Sequence, residues 1–143
     1  MQPTTLVVAL ALSTLLLAAP AAAQPADDPS AADAQALETG RRLTAEFYRG
    51  ELETLVAGFS TEMRESMPVE QLAVMRRSLQ ETLGDEIEIL DEQIRSQQGY
   101  SVYRRVAKFE KHDGEVEVLW ALRVDGKVGG FFVRRALPEL GEE

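Results

Sequence analysis

The chain has 143 residues, no cysteine and a net charge of −9, with 24 acidic against 15 basic side chains. That length suits one domain. The acidic balance argues against nucleic acid and anionic membrane surfaces as partners. The missing cysteine excludes disulfides, thiol catalysis, cysteine metal sites and anchoring through a lipidated N-terminal cysteine.

In chain order, Leu6 to Ala19 is apolar except for Ser13 and Thr14. It falls short of the roughly 20 apolar residues that a membrane span needs. Pro20 and Ala21-Ala22-Ala23 follow, a small-residue cleavage pattern, although Met1 to Thr5 carries no Lys or Arg. Residues 1–23 therefore read as a cleaved signal peptide, placing the mature protein in the periplasm or outside the cell, with no stable membrane span after cleavage. Residues 24–36, rich in Ala, Pro, Asp and Ser, read as a flexible leader, and 37–140 as the folded domain.

Ser30-Ala31-Ala32-Asp33 has the form of a helix-start capping box. Leu37, Gly40, Leu43, Thr44, Phe47 and Tyr48 recur at spacings of three and four, which predicts a helix ending at Gly50. Leu52, Leu55, Val56 and Phe59 predict a second. Pro68 opens a third through Val69, Leu72, Met75 (or Arg76), Leu79 and Leu83, stopped by Gly84. Beyond Gly84 the period changes to two. Ile87 to about Gln97, Tyr100 to Glu110, Glu115 to Val124 and Lys127 to Arg135 read as strands, joined at Gln98-Gly99, Asp113-Gly114 and Asp125-Gly126. The expected fold class is α+β: three N-terminal helices packed on a curved four-stranded antiparallel sheet.

Two-residue turns at those dipeptides define a register. The Asp125-Gly126 turn sets Leu122 opposite Gly129, Trp120 opposite Phe131 and Val118 opposite Val133. The Asp113-Gly114 turn sets Phe109 opposite Val118, Ala107 opposite Trp120 and Arg105 opposite Leu122. The Gln98-Gly99 turn sets Glu92 opposite Arg105 and Ile94 opposite Tyr103. Phe109, Val118, Trp120, Phe131 and Val133 then face the core. Glu117 opposite Arg134 and Leu119 opposite Phe132, with Val106 and Ala121, face outward.

The series Phe47-Tyr48-Arg49-Gly50, Phe59, Met63, Met67-Pro68-Val69-Glu70-Gln71-Leu72, Leu83-Gly84, Gly99-Tyr100 and Val124-Asp125-Gly126-Lys127-Val128-Gly129-Gly130-Phe131 resembles a known pattern. It is similar to small exported bacterial domains of unknown function in the nuclear transport factor 2-like superfamily, over about Leu37 to Arg135. The resemblance implies a cone, a sheet wrapped around helices with a pocket between them, and often a homodimer through the back of the sheet. Fold likeness supplies no function.

Enzymes of that superfamily place Asp or His inside the cone, and no residue here matches. His112 precedes a predicted turn, and Asp27, Asp28, Asp33, Asp85, Asp113 and Asp125 fall in leader, cap or turn positions, with Asp91 on the outer face. No catalytic residue, metal ligand or cofactor is expected. The candidate ligand site is Tyr103, Arg105, Glu92 and Trp120 at the wide end of the cone, where Arg105 would hold an anion or carboxylate between aromatic rings. The same Glu92–Arg105 pair also reads as a plain cross-strand ion pair. Val106, Leu119, Ala121 and Phe132 form a candidate homodimer interface, or a seat for an envelope protein or for residues 136–140. The functional order is an exported non-catalytic binding or interaction module first and a small-ligand binder second. An isomerase or dehydratase acting through Glu92 comes third.

Overall fold

A computed structural model describes residues 30–137. The expected signal peptide, the first part of the leader and residues 138–143 lie outside the described residues. Four helices, α1 (Ala31–Arg49), α2 (Leu52–Ala57), α3 (Thr61–Ser66) and α4 (Val69–Leu83), precede four strands, β1 (Glu86–Gln97), β2 (Tyr100–Phe109), β3 (His112–Leu122) and β4 (Val128–Arg135). The strands form one curved antiparallel sheet in the order β1-β2-β3-β4, so the class is α+β.

The helix limits follow from local chemistry. The Ser30 side chain accepts the Asp33 N–H at 3.1 Å, starting α1 inside the stretch expected to be a flexible leader, and Ala36 is buried. Gly50 ends it in the left-handed region at φ 77°, where glycine alone carries no side-chain penalty. α3 goes beyond the three helices expected. It is six residues long, too short to show a period, but the Ser60 side chain caps it by accepting the Met63 N–H at 3.2 Å. Pro68 stands at the N-cap of α4, one place before the position expected.

The sheet registers divide into one that agrees and two that differ. Gln98 and Gly99 have φ 51° and 82°, so the first hairpin turns in two residues and pairs Glu92 with Arg105 and Ile94 with Tyr103 as expected. The second does not turn at Asp113-Gly114. Phe109 pairs with His112, and Glu110-Lys111 makes the turn. Tertiary hydrogen bonds hold it there: the Glu110 N–H donates to Asp85 O at 3.0 Å and the Lys111 N–H to Leu83 O at 2.8 Å. Ala107 therefore lies opposite Val116 rather than Trp120, Arg105 opposite Val118 rather than Leu122, and Phe109 opposite His112 rather than Val118. The displacement is even, so no side chain changes face. Its effect is to bring Tyr103 opposite Trp120.

In the third hairpin Trp120–Phe131, Val118–Val133, Glu117–Arg134 and Leu119–Phe132 pair as expected, but Leu122 faces Val128, not Gly129. Gly129 is the extra residue of a bulge, and residues 123–127 form the connection. β4 is tied back to the helices where Ser60 N–H donates to Val128 O and Val128 N–H to Gly58 O, at 2.8 and 2.9 Å.

Trp120, Tyr103, Phe59, Leu55 and Leu72 are fully buried at the centre of the main core, between the helices and the inner sheet face. Leu83, Ala107, Phe109 and Val116 form a second cluster at the α4 end. Tyr48, Leu79 and Val133 touch both clusters and stand at the seam.

The outer face is closed by charge rather than left apolar. Glu117, only 3% exposed, accepts from Arg104 Nε at 2.7 Å and from Arg134 Nε. Val106 and Leu119 are themselves buried on this face and Ala121 is half-buried, whereas Phe132 is 58% exposed. Burial pushes the Glu117 carboxyl up, but hydrogen bonds from Arg134 and Arg104 outweigh it, and the net position is below the ordinary 4.5. Stability drawn from this group is therefore complete above pH 4.5 and lost as pH falls through the depressed folded value. Glu117→Gln should cost about 2 kcal/mol at neutral pH. In urea titrations its deficit against the wild type should shrink steadily below pH 4.5. A deficit constant down to about pH 3 would show that the charge of Glu117 contributes nothing.

Candidate functional site

The residues expected to converge on a ligand do adjoin, Glu92, Tyr103 and Arg105 interacting on the inner face with Trp120 opposite Tyr103, but their polar groups are taken up by protein partners. Trp120 is wholly within the core, its ring stacked on Phe131 at 3.9 Å between centroids and its Nε1–H donating to Thr44 Oγ1 at 3.0 Å. Tyr103 is equally buried and donates its hydroxyl to Glu92 at 2.5 Å. Glu92 and Arg105 are partners in backbone register, and the Arg105 charge helps to lower the Glu92 carboxyl, but each makes its close ion pair with another residue. Glu92 is clamped by Arg41 of α1, whose Nε and Nη2 reach both carboxylate oxygens at 3.0–3.2 Å. Arg105 turns instead to Glu86, which also accepts the Tyr48 hydroxyl at 2.9 Å. Two acids in one strand thus serve two arginines, and sequence reasoning missed Arg41 and Glu86. The 3–4 spacing of α1 places Arg41 just beside the buried stripe, which is the signal that was available.

These partners set the titration behaviour. Burial raises the Glu92 carboxyl, and hydrogen bonds from Arg41 and Tyr103 more than reverse this, leaving it below its ordinary value. A general base working near neutrality needs the opposite shift. Burial, followed by the Glu86 charge and hydrogen bond, drives the Tyr48 hydroxyl far above its usual range, so it acts as a fixed donor. Tyr103 is raised for the same kind of reason, first by burial and then by Glu92. For Arg105 burial lowers the guanidinium, and the charge of Glu86 leads the effects that raise it overall. Its Nε is buried with no hydrogen-bond partner.

A partly open pocket among the described residues lies elsewhere, at the seam between the two core clusters. It is a cavity of about 280 Å³ bounded by α1, α4, the start of β1 and the inner faces of β2, β3 and β4. Phe47, Leu79, Leu83, Phe109, Val118 and Val133 form apolar walls, and Tyr48, Arg76, Gln80, Asp85 and Glu86 supply the polar groups. Arg76 is half-buried. It donates from Nε to Phe47 O at 2.9 Å and from Nη2 to Tyr48 O at 2.8 Å, satisfying carbonyls at the end of α1. Its helical position, four residues after Leu72 and three before Leu79, puts it on the inward stripe, whereas Arg77 is exposed.

His112 is half-buried at the start of β3 and takes the Gly114 N–H on Nδ1 at 3.1 Å, a local contact outside the cavity. Asp91 stays exposed on the outer side, within 3.8 Å of Arg104. Among the described residues no cluster of His, Cys, Asp or Glu could hold a metal ion, and no helix is long and apolar enough to cross a membrane. Comparison with protein-family models, with curated proteins and with solved structures finds no match to this chain.

Proposed function

We propose that this protein is a non-catalytic binding module of the cell envelope that holds a small, mostly apolar molecule in the cavity between α1, α4 and the sheet. The cavity is the observation that carries this reading. An apolar cavity of about 150 Å³ is large enough to take up benzene, and this one has about 280 Å³ with polar groups gathered on one part of its lining. Such a combination of apolar walls and a few directed polar groups is the usual form of a ligand site. The order of helices followed by an antiparallel meander, and the resemblance to nuclear transport factor 2-like cones, support it further. So does the N-terminal export pattern. The paired state of Glu92 speaks for binding rather than proton transfer.

The outer face of the sheet is the other candidate for an interaction. It offers less, because Val106 and Leu119 are already buried within the chain and the Arg104–Glu117–Arg134 network crosses it.

The test is to fill the space. Leu79 is half-buried on the wall contributed by α4, so a larger ring there can enter the cavity without displacing the main core. Mature protein from its own export route should carry a reproducible extra mass in native mass spectrometry, and Leu79→Trp should lose it while remaining folded. An extra mass retained by Leu79→Trp would place the ligand elsewhere. No extra mass, together with no uptake of small aromatic probes, would leave the cavity as a packing feature.

A further inference from the structure

We infer that the cavity selects a small aryl or alkyl carboxylate, with Arg76 as the residue that receives the carboxylate. This rests on the cavity being a binding site. Arg76 is the basic residue on the lining. The arginines of the two buried polar clusters already have acids: Arg41 has Glu92, Arg105 has Glu86, and Arg104 and Arg134 share Glu117. Arg76 has backbone carbonyls instead, and no described carboxylate stands within ion-pair distance of it. The two carbonyls fix the plane of the guanidinium and leave the remaining N–H groups of the fork uncommitted. A half-buried cation held in this way is ready to pair with a planar anion, and a bidentate carboxylate is the match in shape and charge.

The acids on the lining compete weakly for that role. Both oxygens of Glu86 are engaged, one by Arg105 and one by the Tyr48 hydroxyl, so its charge is compensated. Asp85 is exposed and accepts from Gln80 at 2.7 Å, where solvent screens its repulsion. The rest of the ligand has to be apolar, because the walls beyond this edge are Phe47, Leu79, Leu83, Phe109, Val118 and Val133. The volume admits a phenyl ring with a short chain, or an alkyl chain of similar bulk. A neutral amide of the same shape would fill the walls equally well but bring no charge to Arg76.

Hydrocinnamate, hydrocinnamamide and phenethylamine therefore separate the contributions of shape and charge, titrated by calorimetry or amide chemical shifts. The wild type should bind the acid about tenfold more tightly than the amide. Arg76→Gln should reduce that preference to about threefold or less while still binding the amide. Equal affinity for acid and amide in the wild type would overturn the carboxylate assignment and leave the cavity reading intact. A preference for the amine would reassign the polar end to Asp85 and overturn it likewise. No binding of any of the three would overturn both readings. If Arg76→Gln does not fold, because α1 loses its carbonyl partners, the wild-type comparison of acid with amide still decides.

Discussion

Trp120→Ala is expected to lower the unfolding free energy by about 3–5 kcal/mol, the range for removing a large buried aromatic ring. Against a total of about 5–15 kcal/mol for a domain of this kind, that is a large share. Three contacts are lost together: the stack on Phe131, the packing against Tyr103 across the β2–β3 pair, and the Nε1–H bond to Thr44. Thr44 in turn donates to Gly40 O at 2.8 Å, so the indole is joined through one hydroxyl to the backbone of α1. Partial collapse into the space is hindered because Tyr103, Phe59 and Val118 around it are themselves fully buried. Urea denaturation followed by circular dichroism measures the change, since the chain has one tryptophan and the variant loses that fluorescence. Thr44→Val separates the polar part, leaving the indole N–H buried and unpaired at a cost of about 1–3 kcal/mol. A loss below about 1 kcal/mol for Trp120→Ala would mean that the sheet and α1 are held together elsewhere.

The alternation of β3 and β4 makes the inner face legible in the sequence alone. Val118, Trp120, Phe131 and Val133 face the helices because a period of two permits only two faces, and a register error of an even number of residues preserves them. The turn that closes the second hairpin is not legible in the same way. Asp113-Gly114 has the dipeptide that favours a tight hairpin, but such a turn needs positive φ at both positions, and neither residue adopts it. The loop is fixed instead by the carbonyls of Leu83 and Asp85, which sequence places more than twenty residues away. The same limit applies to the polar groups. Register put Glu92 across from Arg105 correctly, yet charge pairing is decided by which helix lies above each strand position. Arg41 and Tyr48 on α1 divide Glu92 and Glu86 between the two arginines. Arg76 entered the cavity for a related reason, because the end of α1 supplies carbonyls that no local pattern announces. Propensity and periodicity fix faces. Contacts between elements fix sites.

Gly40→Ala tests that distinction at one atom. In an ordinary helix interior the change stabilises by about 1 kcal/mol, since alanine restricts the unfolded chain and suits the helix. Here the added Cβ would lie 2.2 Å from Tyr103 Cγ and 2.3 Å from Cδ2, inside any tolerable contact. The ring cannot swing aside, because it is fully buried, its hydroxyl is held by Glu92 and Trp120 lies across the strand pair. The helix must move off the sheet, and overpacking of this kind costs about 1–3 kcal/mol or more. A net destabilisation of about 2 kcal/mol is expected once the propensity gain is offset. It should appear as a fall in Tm of roughly 10 °C for a domain near this size. Its origin is checked by a cycle with Tyr103→Ala, which removes the clashing ring atoms. In that background Gly40→Ala should be neutral or stabilising, a coupling of well over about 1 kcal/mol between residues in direct contact. If Gly40→Ala instead raised Tm in the wild-type background, α1 would have to stand further from β2 than described. The Arg41–Glu92–Tyr103 linkage would then not exist in solution.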